Sequence, residues 1–227
     1  MICDEQRPVT WYIRGVAAKF LDAAARAAFA SAIEAIEGAS AAEVVVAVRR
    51  RSASYLHANI AVGAAVAIGG LAAMLFSVYE FALTSILIDP FVVGGLAGAA
   101  VELLPGVKRL LSPRKLRHRE VLRAARATFV ERGVHRTRDR SGVLIYISWL
   151  EREVVLVPDS GIERVLAGNT GADATRTLTA AMTDGGAAVA RELGRLAPAL
   201  GAGLPRRTDD VNELPDEVDS DLERGDR

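Results

Sequence analysis

Residues 58–78, ANIAVGAAVAIGGLAAMLFSV, contain no charged side chain. This run constrains the fold more than any other, because a hydrocarbon core of about 30 Å needs roughly 20 helical residues. Its surroundings are unusual. A few residues earlier stands EVVVAVRRR, residues 43–51, whose short β-branched run reads as a buried strand of a water-soluble domain over 43–48. A second apolar stretch, FALTSILIDPFVVGGLAGAAVELL at 81–104, is long enough to span but carries Asp89-Pro90. Two readings of that pair are open. Asp89 caps a shorter helix with Pro90 in its first position, or the helix starts near Leu83 and encloses Pro90. The second is preferred, at a cost of ~3 kcal/mol for an Asp in mid-bilayer and less near the interface.

Small residues recur in both stretches. Gly94 and Gly98 form a GxxxG, and Gly63/Ala67 and Ala65/Gly69 repeat the spacing. Such spacing lets helix backbones approach closely in lipid, which predicts a tight hairpin and also suits a homo-oligomer.

Charge gives the orientation. The chain has 28 basic and 28 acidic residues, so bulk charge selects no partner. Its distribution is more informative. Arg49, Arg50 and Arg51 precede the first apolar stretch, and Lys108, Arg109, Arg114, Lys115, Arg117 and Arg119 follow the second. The connecting loop holds Glu80 and no basic residue. The positive-inside rule then puts both flanks, and both termini, in the cytoplasm of a bacterial plasma membrane. Strand and span are neighbours because the span is an insertion. The six basic residues after it are expected to contact anionic lipid headgroups, worth ~1 kcal/mol each near the surface. No aromatics are interleaved among them to stack on bases, which argues against nucleic acid.

The remaining pattern alternates helix and strand. A helix over 15–37 is stopped by Gly38, and Ser112-Pro113 opens a helix to about Arg132 with Leu122, Ala125 and Phe129 on its buried face. Strands follow at 143–148 and 153–157 around a turn at Glu151-Arg152. Helical stretches occupy 162–167, 171–183 and 187–200, the last two separated by Asp184-Gly185-Gly186. The expected fold class is α/β, a small mixed sheet covered by helices and interrupted by a two-helix transmembrane hairpin. Strand 43–48 is expected beside 143–148. The parts are 1–56 and 105–205 for the α/β domain, 57–104 for the hairpin, and 206–227 as an acidic disordered tail. The single cysteine, Cys3, excludes an intramolecular disulfide. The first 20 residues lack the apolar core of a cleaved signal.

The helix-then-strand IEAIEGASAAEVVVAV, followed by VLRAARATFVERGVHRTRDRSGVLIYISWLEREVVLVPDSGI, resembles the TPM domain family. That α/β domain occurs in thylakoid-lumen photosystem-repair proteins, nematode receptor accessory subunits and bacterial membrane proteins. Membrane-embedded bacterial relatives also tend to end near an acidic stretch like Asn212-Glu213-Leu214-Pro215. The resemblance covers roughly 30–50 and 103–215. It implies a fold rather than one activity. Calcium binding and weak acid phosphatase activity are ascribed to some members.

Motifs for chemistry are sparse. Neither a Walker A run nor a GxGxxG follows any strand, and His57, His118 and His135 are too far apart in sequence to form the paired histidines of a zinc motif. The acids at strand ends are the better candidates. Asp139 precedes one strand, Asp159 follows the next, and Glu163 lies one turn into the helix beyond. Oxygen ligands so placed suit a hard cation, with calcium the ion considered. The alternative is that Asp159 caps the following helix and Asp139 pairs with Arg138 or Arg140. The arginine-dominated HRTRDRS favours this alternative, so no cofactor is expected. The expected function is a membrane-anchored accessory domain that stabilises a membrane-protein partner. The second expectation is a weak metal-dependent acid phosphatase using Asp139 and Asp159.

Overall fold

The computed structural model describes residues 19–167, 169–206, 212–215 and 217–222. Cys3, the start of the chain and the first residues of the helix expected over 15–37 lie outside them. The chain divides into two compact units. Ala53–Arg117 belongs to one, and the described residues of Trp11–Ser52 and His118–Arg227 to the other.

The larger unit is an α/β domain around a four-stranded sheet of order β3-β2-β1-β4. Strand β1 (Glu43–Arg49) and β2 (Gly142–Ser148) run parallel, with Val45 opposite Leu144 and Arg49 opposite Ser148. Strand β3 (Glu153–Pro158) returns antiparallel to β2, so the sheet is mixed. Both faces of the central pair are covered, which is why EVVVAV is apolar without alternation. Val44, Val46, Val48, Val143, Ile145 and Ile147 face one core with Phe29, Ile33, Ile36, Leu178 and Leu193. Val45, Ala47, Leu144 and Tyr146 face a second core with Val121, Ala125 and Val134.

The helices carry local signals. Helix α1 (Ala23–Ala39) starts where Asp22 accepts a hydrogen bond from the Ala25 N–H at 2.8 Å. It passes through Gly38, expected to stop it, and ends where the Ser40 N–H meets the Ile36 carbonyl. In the other unit lie α2 (Leu56–Leu75), α3 (Leu83–Ala100), a 3-10 turn (Val101–Leu103) and α4 (Pro105–Leu111). Helix α3 begins at Leu83 and keeps Pro90 in its interior, the second of the two readings of Asp89-Pro90. Helix α5 (Arg114–Glu131) buries Val121, Ala125 and Thr128, while Leu122 and Phe129 are half-buried. The expected stripe thus faces the second core, with Ala125 fully buried, Leu122 and Phe129 packed at its edge, and Val121 and Thr128 buried beside them. After β3 come α6 (Ser160–Leu166), α7 (Asn169–Ala181), α8 (Gly186–Gly194) and α9 (Ala197–Gly203).

The acidic segment differs from expectation. Residues 207–211, 216 and 223–227 lie outside the described set, but Asp219–Ser220 form β4, parallel to β1. Leu222 is 2% exposed in the first core, and the backbone N–H groups of Glu213 and Leu214 donate to Glu43. Residues 212–215 and 217–222 are thus part of the domain and not a disordered tail.

Candidate functional site

In open α/β sheets, ligands bind outside the carboxyl ends of the parallel strands. Here β1 and β2 end together at Arg49 and Ser148. Just beyond β1, the Ser52 hydroxyl lies 2.8 Å from the Ser148 hydroxyl and 3.3 Å from the Tyr146 phenol. Ser148 donates to one oxygen of Glu151, and the other accepts the Ser52 N–H at 3.0 Å. Tyr146, Ser148 and Glu151 are buried. Burial pushes the Tyr146 phenol above its ordinary value, against the opposing effect of the Ser52 hydrogen bond.

Strand β4 closes the adjoining edge. Asp219 forms ion pairs with Arg49 and Arg132, and Arg49 also donates to the Asp219 carbonyl at 3.0 Å. The Asp221 carboxylate accepts the Arg50 N–H at 2.6 Å, while burial raises its pKa. The result is a connected polar network, Glu151–Ser148–Ser52–Tyr146, beside a charge cluster. It fixes the strand ends, and its hydroxyl chain links Glu151 to a buried phenol. Sequence reasoning missed this network. Ser52, Tyr146 and Glu151 converge only through the β1–β2 register, and Glu151 carried no signal beyond a polar turn.

The acids singled out from sequence gather at the opposite end of the sheet. Asp159 caps α6, accepting the Ser160 N–H at 2.7 Å, and lies 3.7 Å from the Arg140 guanidinium. Its second oxygen is buried without a hydrogen bond. The Asp139 carbonyl abuts Gly161, where an added Cβ would collide with it. Glu163 is exposed in the first turn of α6. Capping and ion pairing are the observed roles of Asp159. The histidines have separate partners: His57 meets the Ser112 hydroxyl at 3.2 Å, His118 pairs with Glu153, and His135 lies against Phe129. Among the described residues no group of three His, Cys, Asp or Glu side chains is placed to share a metal ion.

In the smaller unit, Leu56–Leu75 and Leu83–Leu103 are long and apolar enough to cross a membrane by length and composition. They pack backbone to backbone. A Cβ on Gly98 would come 2.8 Å from the Asn59 carbonyl oxygen, and one on Gly63 would come 2.9 Å from that of Gly94. At one end, Glu102 accepts from the Asn59 amide at 2.9 Å and pairs with Lys108. Lys108 is 3% exposed, so its ammonium is turned to Glu102 and the Ser54 carbonyl instead of outward. Among the other five basic residues, Arg114, Lys115 and Arg119 are exposed, whereas Arg109 and Arg117 are half-buried.

The sequence matches no protein-family model and no curated protein. A solved structure does resemble the fold: the NMR structure of BA42 protein from the psychrophilic bacterium Bizionia argentinensis superposes with a TM-score of 0.53 at 16% identity, over 88% of this chain and 95% of that one. At that identity the likeness is one of fold, an α/β arrangement with a small mixed sheet.

Proposed function

We propose that this chain is a membrane-anchored interaction protein. Residues 57–104 form a hairpin that crosses the bilayer, and a TPM-like α/β domain faces the cytoplasm with both termini. The domain supports a larger membrane complex and carries no chemistry of its own. The observation behind this reading is the outer surface of α2 and α3. Although the two helices pack closely, Ile68 is 68% exposed, Leu83 81% and Leu96 67%. Exposed apolar surface on this scale marks a membrane or partner contact rather than a wetted face.

Basic residues flanking the pair, and none in the loop at Glu80, supply the orientation. The TPM-like identity of the domain rests on the sequence resemblance, with which the mixed sheet agrees. The phosphatase alternative needs converging oxygen ligands and an open position for water. Asp159 already has one oxygen engaged as a cap and lies near Arg140, which favours the interaction reading.

Reporter fusions after Arg51, at Glu80 and after Arg119, with alkaline carbonate extraction of membranes, test it. Cytoplasmic signals at Arg51 and Arg119, a periplasmic one at Glu80, and retention in the pellet are expected. Release by carbonate, or a periplasmic signal at either flank, overturns it.

A further inference from the structure

Asp89 is the only acidic side chain in α2 or α3. It lies six residues into the apolar stretch Leu83–Leu103, ~9 Å from its start at 1.5 Å per residue. Its side chain is exposed, and among the described residues it makes no hydrogen bond or ion pair, not even with Ser85 one turn before it. The next residue adds a second acceptor. Pro90 has no N–H, so the carbonyl of Ile86 loses its helical donor. Pro90 itself is buried and turned toward Gly70 of α2, where an added Cβ would sit 3.7 Å from the proline Cβ. Within one turn, α3 therefore offers a carboxylate that no described residue meets and a carbonyl that lacks its usual i+4 donor. Val92, Val93 and Leu96 continue the same face at helical spacing, exposed by 53%, 53% and 67%.

In lipid such acceptors require a donor from a neighbour. We propose that the face Asp89–Val92–Val93–Leu96 docks a membrane helix of another protein that carries a lysine or arginine at the depth of Asp89. A second copy of this chain does not meet the requirement. Helices α2 and α3 contain no Lys or Arg, and a symmetric pair would set one Asp89 against another. The inference rests on the membrane reading and names the chemistry of the partner which that reading calls for.

The test uses the full-length chain in phosphatidylcholine/phosphatidylglycerol vesicles. The probe is a fluorescent synthetic Leu/Ala helix of about 20 residues, with a single Lys at matching depth or Leu in its place. Energy transfer should report association about tenfold tighter for the Lys peptide. Asp89→Leu should abolish that preference, and because leucine is at home in lipid the hairpin should persist. Equal binding of the two peptides overturns the inference. So does self-association of the wild-type chain that is lost in Asp89→Leu without any Lys preference, which would give the face to a second copy. Asp89→Cys, with Cys3→Ser, separates the two levels in the same vesicles. Free labelling by a membrane-impermeant maleimide defeats the membrane reading and the inference together. Protection without a Lys preference defeats the inference alone.

Discussion

Gly63 and Gly94 meet across α2 and α3 so closely that a Cβ on Gly94 would lie 2.5 Å from the Gly63 carbonyl oxygen and 2.7 Å from the Ala67 Cβ. Both obstacles are short and rigid, so neither can swing aside. Gly94→Ala should force the helices apart and cost about 1–3 kcal/mol, as overpacking of a close interface does. Gly95 has nothing within 4 Å of an added Cβ. Gly95→Ala should therefore leave stability unchanged or raise it slightly through helix propensity. Thermal unfolding of the full-length chain in detergent compares the two. Equal midpoints would mean that the backbones are not in contact at this site.

The acidic segment offers a second test. Leu222 is 2% exposed in the core that holds Phe29 and Ile145, and its neighbours form β4. Leu222→Ala should cost about 2–3 kcal/mol, in the range for a buried leucine. A segment that merely trails from the domain would show no loss. Urea unfolding followed by tryptophan fluorescence, with Trp149 buried in the same core, reads the difference.

These two tests bracket what was legible in the sequence. The β1–β2 pairing was readable because its residues are apolar on both faces, a pattern that only a covered sheet accommodates. The close contacts of Gly63, Gly94 and Gly98 were readable from their four-residue spacing. The docked acidic segment was not, because its few apolar anchors show no helical or strand period and its ion pairs are made with distant residues. Asp219 is satisfied by Arg49 and Arg132, which lie far away in sequence, and only the isolated Leu214, Val218 and Leu222 hint at burial. Lys108 failed for the opposite reason. Its place beside other basic residues suggested an outward role, whereas Glu102, six residues earlier, draws it inward. Asp159 was legible as a cap, since Asp before a helix satisfies an N–H that has no partner in the first turn.

Asp221 predicts a pH dependence. Burial raises its carboxyl above the ordinary value of 3.8, so the folded state favours the protonated form. Its contribution to stability is then present below the unfolded pKa and lost as pH rises through the folded one. Asp221→Asn cannot ionise and still offers an oxygen to the Arg50 N–H. The variant should be more stable than the wild type at pH 7, with the advantage shrinking as pH falls toward 4. Urea midpoints at the two pH values measure this. An advantage that is constant with pH would place the cause outside this ionisation.

Asp159 separates the interaction reading from the metal-dependent one. A cation bound only by the native state stabilises it by mass action, by ~2.7 kcal/mol at a free concentration about 100 times the dissociation constant. Such a gain would be plain in a melting curve. One Asp159 oxygen accepts the Ser160 N–H, and Arg140 lies 3.7 Å from the other, a cation already placed where a metal ion would sit. Millimolar calcium or magnesium should therefore leave the melting temperature of the wild type unchanged, with no phosphatase turnover above background. Asp159→Asn should remain folded, because Asn caps a helix about as well as Asp. Arg140→Ala provides the more demanding case, since it removes the competing charge and leaves a buried carboxylate oxygen open. A calcium shift that appears only in Arg140→Ala would show that the arginine holds the metal out. A shift in the wild type that disappears in Asp159→Asn would put the metal-dependent reading first.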